Sequence, residues 1–209
     1  MTSAPARAAL DTGDPAAQPL QQPAVVAEPL TSDLSHADSL RLLERQAAVL
    51  ELLAAGAPLT AVLNSIVVTL EDLMDGACCS ILLLDPAAAT LHHGAAPSLP
   101  ASYAGAIDGI SIGPDAGSCG TAAYLGSAVV AEDILTDARW EQYRALALPH
   151  GLRSCWSTPI RGRTGTTGTF AVYHMQPHRP TNREQRLVAR VTHLASIAID
   201  HSRLFGALA

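Results

Sequence analysis

The sequence predicts an α+β domain built on an antiparallel sheet of five to six strands. Long amphipathic segments lie at both ends of the foldable region, and short apolar segments lie between them. Several of these short segments follow one another across turns of only a few residues, whereas parallel neighbours need a crossover of roughly a dozen or more. Consecutive strands must therefore pair in antiparallel fashion.

Three long helices are predicted from apolar spacing and end signals. The first, SLRLLERQAAVLELLAAG, has apolar residues at helical spacing and Gly56 as its C′ residue. The second starts at Pro58 and carries a 4-3-4-3 apolar stripe. Thr181 and Glu184 form a capping box that opens the third, which runs to Phe205.

The strands are predicted from short apolar or alternating segments. ACCSILLLD is apolar on both faces, as expected for a central strand covered on both sides, and TLHHGAA follows as its partner across the DPAA turn. SAVVAEDI, LRSCWSTPI and GTFAVYHM supply three more strands. LPASYAGAI, CGTAAYLG and DARWEQYRALALPHG are predicted as shorter helices between them.

Composition excludes several classes of function. All 13 basic residues of the 209-residue chain are arginine, so no lysine exists to form a Schiff base or to bind phosphate in a Walker A loop. The net charge of −6 argues against non-specific binding to nucleic acid or anionic membranes. Arg183, Arg186 and Arg190 form a basic stripe, but on a helix with an apolar seam this is typical of a solvated face.

Residues 1–38, rich in Ala, Pro and Gln, are predicted to be a disordered tail that precedes a domain over residues 39–209. The N-terminus lacks the apolar core of a signal peptide, and no segment has the apolar length of a membrane span. The four cysteines show no CxxC spacing and suit reduced thiols. We therefore expect a cytoplasmic protein.

The segment GPDAGSCGTAAYLG raises the main chemical question, because Cys119 could be a nucleophile, a redox switch, a metal ligand or a small apolar residue. Ser118 is predicted to be the N-cap of a helix whose first turn favours a thiolate at Cys119. Gly117 and Gly120 would let an anionic ligand approach the backbone. No base is close in sequence, which favours the small-residue interpretation over catalysis.

No metal site is predicted from the histidine spacing. His92 and His93 are adjacent on a strand and should point to opposite faces. His174 and His178 are four residues apart, but Pro177 prevents the helix that would align them. The carboxylates Glu132 and Asp133 lie at a strand end, where polar residues commonly precede a loop.

The terminal helices are predicted to pair with a second protomer. In the last helix the apolar residues keep a rhythm of about 3.5 residues, the spacing of a coiled-coil seam. The first helix has a similar apolar face, so each terminal helix can pack both against the sheet and against the helices of a second protomer.

The order of these elements, with GSCGTAA, VVAEDI and HGLRSCWSTPI, resembles the GAF domains that lie upstream of bacterial diguanylate cyclase, cyclic-di-GMP phosphodiesterase or histidine kinase units. The resemblance covers residues about 39 to 206. It implies a sensory module for signal transduction, with terminal helices on one face of the sheet, where they dimerise and pass ligand state to a partner domain. On the other face it implies a pocket for a small molecule.

The resemblance and the aromatic residues together predict the lining of this pocket. The ligand-binding residues are predicted to be Gly117, Ser118, Cys119, Gly120, Tyr124, Asp133, Trp140, Tyr143, Trp156 and Tyr173. No catalytic residue and no cofactor are predicted.

Departures from related groups leave two alternatives open. The cyclic-nucleotide GAF motif NKxxFxxxDE needs a lysine, which this chain lacks, so that motif is absent. Bilin attachment needs a cysteine where this chain has ALALPHG, so we do not expect a bilin to be attached there. Free-methionine-R-sulfoxide reductases are similar at GxCG, but the loop that holds their main catalytic cysteine corresponds to 140–151, which has none, so Cys119 and Cys155 would have to serve. Haem-binding GAF sensors use a histidine near the position of His150.

Overall fold

The computed structural model describes residues 34–206 of the chain. The predicted tail lies mostly outside the described residues, although its last three residues belong to the first helix, which begins at His36. The helices are α1 (His36–Ala54), α2 (Leu59–Glu71), α3 (Ala101–Ala106), α4 (Gly117–Leu125), α5 (Arg144–Ala147) and α6 (Asn182–Gly206). The strands are β1 (Ala77–Asp85), β2 (Thr90–Ala95), β3 (Ile110–Ser111), β4 (Val129–Ala131), β5 (Ser154–Gly162) and β6 (Gly165–His174).

The six strands form one sheet in the order β3-β2-β1-β6-β5-β4, with every neighbouring pair antiparallel. The doubly apolar β1 is an inner strand, as its sequence predicts. Strands β5 and β6 form a tight hairpin in which Gly162 faces Gly165. The α+β class and the antiparallel sheet are confirmed.

One face of the sheet is covered by the long helices. Cys79, Ile81, Phe170 and Val172 on β1 and β6 share a core with apolar residues of α1, α2 and α6. The predicted capping box holds the start of α6: Thr181 N–H donates to Glu184 Oε2 at 2.7 Å, and Glu184 N–H donates to Thr181 Oγ1 at 3.3 Å.

A bidentate ion pair joins the two terminal helices. The guanidinium of Arg183 on α6 donates to both carboxylate oxygens of Asp38 on α1, at 2.8 and 2.7 Å. The same guanidinium donates to the carbonyl of Leu73, just after α2, at 3.1 Å. The three long helices are therefore tied together at one end.

The opposite face is covered by short elements. Alternate residues of the same strands, such as Leu82, Cys155, Ala171 and Tyr173, share a second core with α3, α4 and the segment after β4. That segment was predicted as one helix over DARWEQYRALALPHG, but the structure divides it into a 3-10 turn at 138–140, α5, and a second 3-10 turn at 148–150. Pro149 accounts for the second break, because it cannot donate the backbone bond of a continuing helix.

No helix among the described residues combines the length and the hydropathy needed to cross a bilayer.

Candidate functional site

The loop before α4 is closed by a threonine. Gly117 begins the helix with a φ of +60°, a backbone angle that residues other than glycine rarely adopt. Its Cα faces the Trp140 ring, which a Cβ at this position would contact at 3.6 Å. Thr121 Oγ1 accepts a hydrogen bond from Ala116 N–H at 3.2 Å and donates one to the carbonyl of Pro114 at 3.1 Å. This hydroxyl therefore fixes the turn that leads into the helix.

Ser118 is a bridge between elements and not the predicted N-cap. The residue at the N-cap is Ala116, whose side chain makes no capping bond. The Ser118 hydroxyl donates to the carbonyl of Cys155 at 3.0 Å and accepts from Trp140 Nε1 at 3.0 Å. All three residues are buried, so this chain of bonds joins α4, β5 and the 138–140 turn in a region shielded from water.

Cys119 lies in the first turn of α4 with its sulfur against the sheet. Its Sγ is 3.7 Å from the Tyr173 hydroxyl, and Cys155 is a second thiol neighbour. A hydrogen bond from Cys155, which outweighs burial, together with the hydroxyls of Ser157, Tyr173 and Thr169, lowers the pKa of Cys119 to about 7. Burial raises the pKa of Cys155, so the pair loses its first proton at Cys119.

Three hydroxyls beneath α4 have no regular hydrogen-bond partner among the described residues. Ser80, Ser157 and Thr169 are each fully buried, and their oxygens lack a bond of good geometry. They lie on β1, β5 and β6, on the face that also carries Cys155 and Tyr173. Buried hydroxyls usually have a polar partner, and Ser157 and Thr169 lie close enough to the Cys119 sulfur to lower its pKa, so the thiolate is the group that these two hydroxyls face.

A narrow hollow lies between α4 and this hydroxyl-bearing face, opposite the terminal helices. It encloses about 270 Å³ between atoms, partly open to solvent, and has room at its centre for only about one water molecule. None of its lining residues is charged, and four are aromatic. They are Tyr103, Ile107, Ile110, Ala116, Gly117, Ser118, Cys119, Trp140, Tyr143 and Tyr173.

Six of the ten residues predicted to bind a ligand line this hollow, namely Gly117, Ser118, Cys119, Trp140, Tyr143 and Tyr173. Gly120 has a structural role beside them. A Cβ at that position would lie 2.5 Å from the Cβ of Ala116 and 2.9 Å from the carbonyl oxygen of Ser111. Only glycine lets α4 approach the backbone after β3 so closely.

The other three predicted residues lie outside the hollow. Trp156 points to the helix-covered face, because it alternates with Cys155 along β5 and joins the other core. Tyr124 is 56% exposed near the end of α4. Asp133 forms an ion pair with Arg153 at 2.8 Å at the edge of the domain, and that guanidinium lowers the pKa of the carboxyl.

Sequence reasoning missed the contribution of α3 to the hollow. Tyr103 is 1% exposed, and its ring meets that of Tyr173 edge-on at 5.8 Å. Ile107 lies four residues later and also lines the hollow. The spacing of these two residues predicts an apolar face on α3 and could have indicated this role.

His150 does not line the hollow. Its ring packs edge-on against Tyr103 at 5.9 Å, and Tyr103 in turn packs on Tyr173. The Tyr103 ring therefore lies between those of His150 and Tyr173.

The structure brings two histidines together although no helix aligns them. The rings of His174 and His178 are stacked, with centroids 4.0 Å apart, and Glu184 contacts His178. The inference from helical spacing was wrong at this point, because the turn after β6 folds His178 back over the end of the strand.

Comparison with known proteins agrees with this architecture. The family model described as GAF domain matches residues 56–200. The methyl sulfide methyltransferase-associated sensor of Methanosarcina acetivorans is 36% identical over 168 residues, which are 80% of this chain and 17% of the relative. The chain thus spans about a sixth of that curated relative's length.

Two solved structures show the same fold. The GAF domain of the Acinetobacter phosphoenolpyruvate-protein phosphotransferase has a TM-score of 0.63 at 18% identity, covering 82% of this chain and 97% of that one. The free methionine-R-sulfoxide reductase from Neisseria meningitidis, in complex with its substrate, has a TM-score of 0.64 at 17% identity, covering 84% and 98%. At these identities the likeness concerns the fold alone.

Proposed function

Because this chain belongs to the GAF domain family, we propose that it is a sensory module whose hollow binds a small neutral molecule and whose terminal helices report the bound state. The family resemblance predicted from sequence is confirmed, and the curated relative is named a sensor. The observation that carries the proposal is the hollow itself, which has aromatic walls, no charged residue in its lining and a position opposite the long helices.

The lining defines the class of ligand. Tyr103, Trp140, Tyr143 and Tyr173 offer flat apolar surfaces, whereas a charged ligand would lose its hydration without gaining a charged partner. The tyrosine hydroxyls of the lining can bind one polar group of the ligand. We therefore expect a compact, uncharged, partly aromatic or unsaturated molecule.

Binding requires the hollow to open, because its empty centre is about the size of one water molecule. The element most easily displaced is α3, a helix of six residues that contributes Tyr103. Outward movement of α3 would enlarge the hollow while β1, β5 and β6 stay paired. A ligand then shifts the population from the closed to the open arrangement by its unequal affinity for the two.

The helices on the other face carry an unpaired apolar surface suited to a homodimer. Leu43 and Leu50, one heptad apart on α1, are 61% and 54% exposed. Ile197 and Leu204, one heptad apart on α6, are 41% and 52% exposed. Apolar positions repeated at this spacing are typical of helices that pair with another protomer.

Ligand binding is tested by thermal unfolding of the full chain with neutral aromatic fragments, beginning with phenol and indole. A binder should raise the melting temperature and change the fluorescence of Trp140. Tyr103→Ala should alter this response, whereas the matched Tyr124→Ala on the exposed side of α4 should leave it unchanged. Equal responses of the two variants would place binding outside the hollow.

The dimer is tested by sedimentation of Leu43→Glu and Leu50→Glu variants. We expect both to dissociate, because each places a charge in the proposed interface, while Leu135→Glu at an exposed loop position keeps the wild-type state. A wild-type monomer would refute this part of the proposal and leave the ligand test standing.

A second candidate function is thiol reduction of a sulfoxide, and the contact of Cys119 with Cys155 favours it. The Cys119 thiolate would attack the sulfoxide sulfur, and Cys155 would then attack Cys119. Two thiols become one disulfide, the sulfoxide becomes a sulfide, and its oxygen leaves as water. A dithiol protein such as thioredoxin would restore the thiols.

Two features weigh against this second function. The groups that contact Cys119 are hydroxyls and a thiol, not an imidazole or carboxylate that could move a proton. The lining also has no charged residue to pair with the ammonium and carboxylate groups of a free amino-acid substrate. Absence of turnover with free methionine-R-sulfoxide and thioredoxin would exclude it, and loss of activity in both Cys119→Ser and Cys155→Ser would support it.

A further inference from the structure

We propose that His174, His178 and Glu184 form a binding site for a divalent transition-metal ion, with Zn²⁺ the expected occupant. One donor atom from each residue lies within 4.8 Å of the other two. His174 points to the opposite face of β6 from Tyr173, because the two residues are adjacent on the strand, and the cluster shares no residue with the lining of the hollow. It is therefore independent of the sensory proposal.

The distances suit a metal ion. His178 Nε2 lies 3.0 and 3.1 Å from the two carboxylate oxygens of Glu184. Donors of a tetrahedral Zn²⁺ site, with bonds of roughly 2.0–2.1 Å, are about 3.3 Å apart. The His174 ring lies against that of His178, with centroids 4.0 Å apart and planes at 35°. A small rotation of the rings completes a set of three donors.

The backbones of the two histidines are held by contacts outside the cluster. His174 ends β6, where it pairs with Ala77 on one side and Ser154 on the other. His178 N–H donates to the carbonyl of Glu132 at 2.9 Å. Such anchoring lowers the entropy that the ligands lose when a metal binds.

Glu184 is held by the capping box, which leaves part of its carboxylate available. Thr181 N–H and Oγ1 both donate to Oε2, at 2.7 and 2.9 Å, whereas Oε1 lies 3.1 Å from His178 Nε2. Each carboxylate oxygen can accept about two bonds, so Oε1 can bind a cation without loss of the cap.

The nearby arginines do not compete for Glu184. Arg179 pairs with Glu132 at 3.4 Å, and Arg183 pairs with Asp38 at 2.7 Å. The carboxylate of Glu184 therefore faces two imidazoles and accepts no hydrogen bond from a guanidinium among the described residues. Two imidazoles and one carboxylate are a donor set that Zn²⁺, Co²⁺ and Ni²⁺ bind in preference to Mg²⁺ or Ca²⁺.

The test uses the full chain stripped with a chelator and then supplied with Zn²⁺. At about 100 times its Kd, the ion should raise the melting temperature by roughly 5–10 °C. His178→Gln and Glu184→Gln should each remove most of this rise, by weakening binding more than about 100-fold. The matched control His193→Gln, at an exposed position of α6, should keep the full rise.

Co²⁺ provides a second readout that does not depend on stability. A tetrahedral site of nitrogen and oxygen donors gives visible absorption bands without thiolate charge transfer, and we expect these bands in wild type but not in His178→Gln. The metal-induced change is compared within each variant, so a lower baseline stability does not mimic the result. No rise with Zn²⁺ in wild type, an equal rise in His178→Gln, or cobalt–thiolate bands would each overturn the proposal.

Discussion

Replacing Ser118 with alanine tests whether this hydroxyl bridges buried elements or merely caps a helix. The substitution leaves Trp140 Nε1 without its acceptor at 3.0 Å and removes the donor to the carbonyl of Cys155. An unpaired buried N–H costs about 1–3 kcal/mol, and the lost second bond about 0.5–1.5 kcal/mol. We expect Ser118→Ala to lower the free energy of unfolding by about 2–4 kcal/mol.

A double-mutant cycle separates the two roles. In a Trp140→Phe background the indole N–H is already gone, so Ser118→Ala should cost only about 0.5–1.5 kcal/mol. A coupling of about 1–3 kcal/mol between the two sites is therefore expected. If Ser118 only capped the helix, Ser118→Ala would lower the free energy of unfolding by about 1 kcal/mol in either background.

Urea denaturation followed by circular dichroism gives all four free energies without relying on the tryptophan that is removed. Equal costs of Ser118→Ala in the two backgrounds would refute the bond between Ser118 and Trp140, and with it the tie between α4 and the 138–140 turn.

Three further outcomes are expected. Gly120→Ala should destabilise the fold by about 1–3 kcal/mol in urea denaturation, because the added Cβ would lie 2.5 Å from the Cβ of Ala116. The control Gly105→Ala should not destabilise it, because no atom lies within 4 Å of the added Cβ, and equal effects of the two substitutions would contradict the close approach of α4. Thiolate absorbance should rise through pH about 7, with the thiol form below and the thiolate above, and Cys119→Ser should abolish this step; a single step near the pH of an ordinary thiol would refute the assignment. The purified protein should show no Soret band, because Tyr103 separates His150 from the hollow, and a band lost in His150→Ala would contradict that geometry.

The sequence predicts the architecture well because the spacing of apolar residues follows from which positions of a helix or strand are buried. The double apolarity of β1, the Thr181–Glu184 box and the short hairpin turns each specify a local structure that the tertiary fold keeps. The same periodicity could not predict the loop before α4. Ser118 is a good N-cap by residue type, yet Trp140, 22 positions away, offers it a better buried partner.

The site was harder to predict than the fold because strand parity decides which face a side chain occupies. Trp156 is as aromatic as Tyr173, but the β5–β6 register aligns Cys155, not Trp156, with Tyr173. A shift of one residue would have exchanged the two faces. The stacked pair His174 and His178 was missed for a related reason, since an irregular turn can bring side chains together without any periodic spacing.

That same parity places one peptide unit between the two faces of the sheet, where the proposed ligand signal would have to cross. The carbonyl of Cys155 accepts the bond from Ser118 at the hollow, and the next residue, Trp156, packs in the core beneath the long helices. One peptide unit therefore joins the two layers. A ligand that displaces Trp140 removes the partner of Ser118 and loosens the hold of α4 on this unit, whereas a ligand that leaves Trp140 in place does not. Because packed cores change between discrete arrangements and do not deform continuously, the state of this peptide is where occupancy of the hollow can alter the packing of α6.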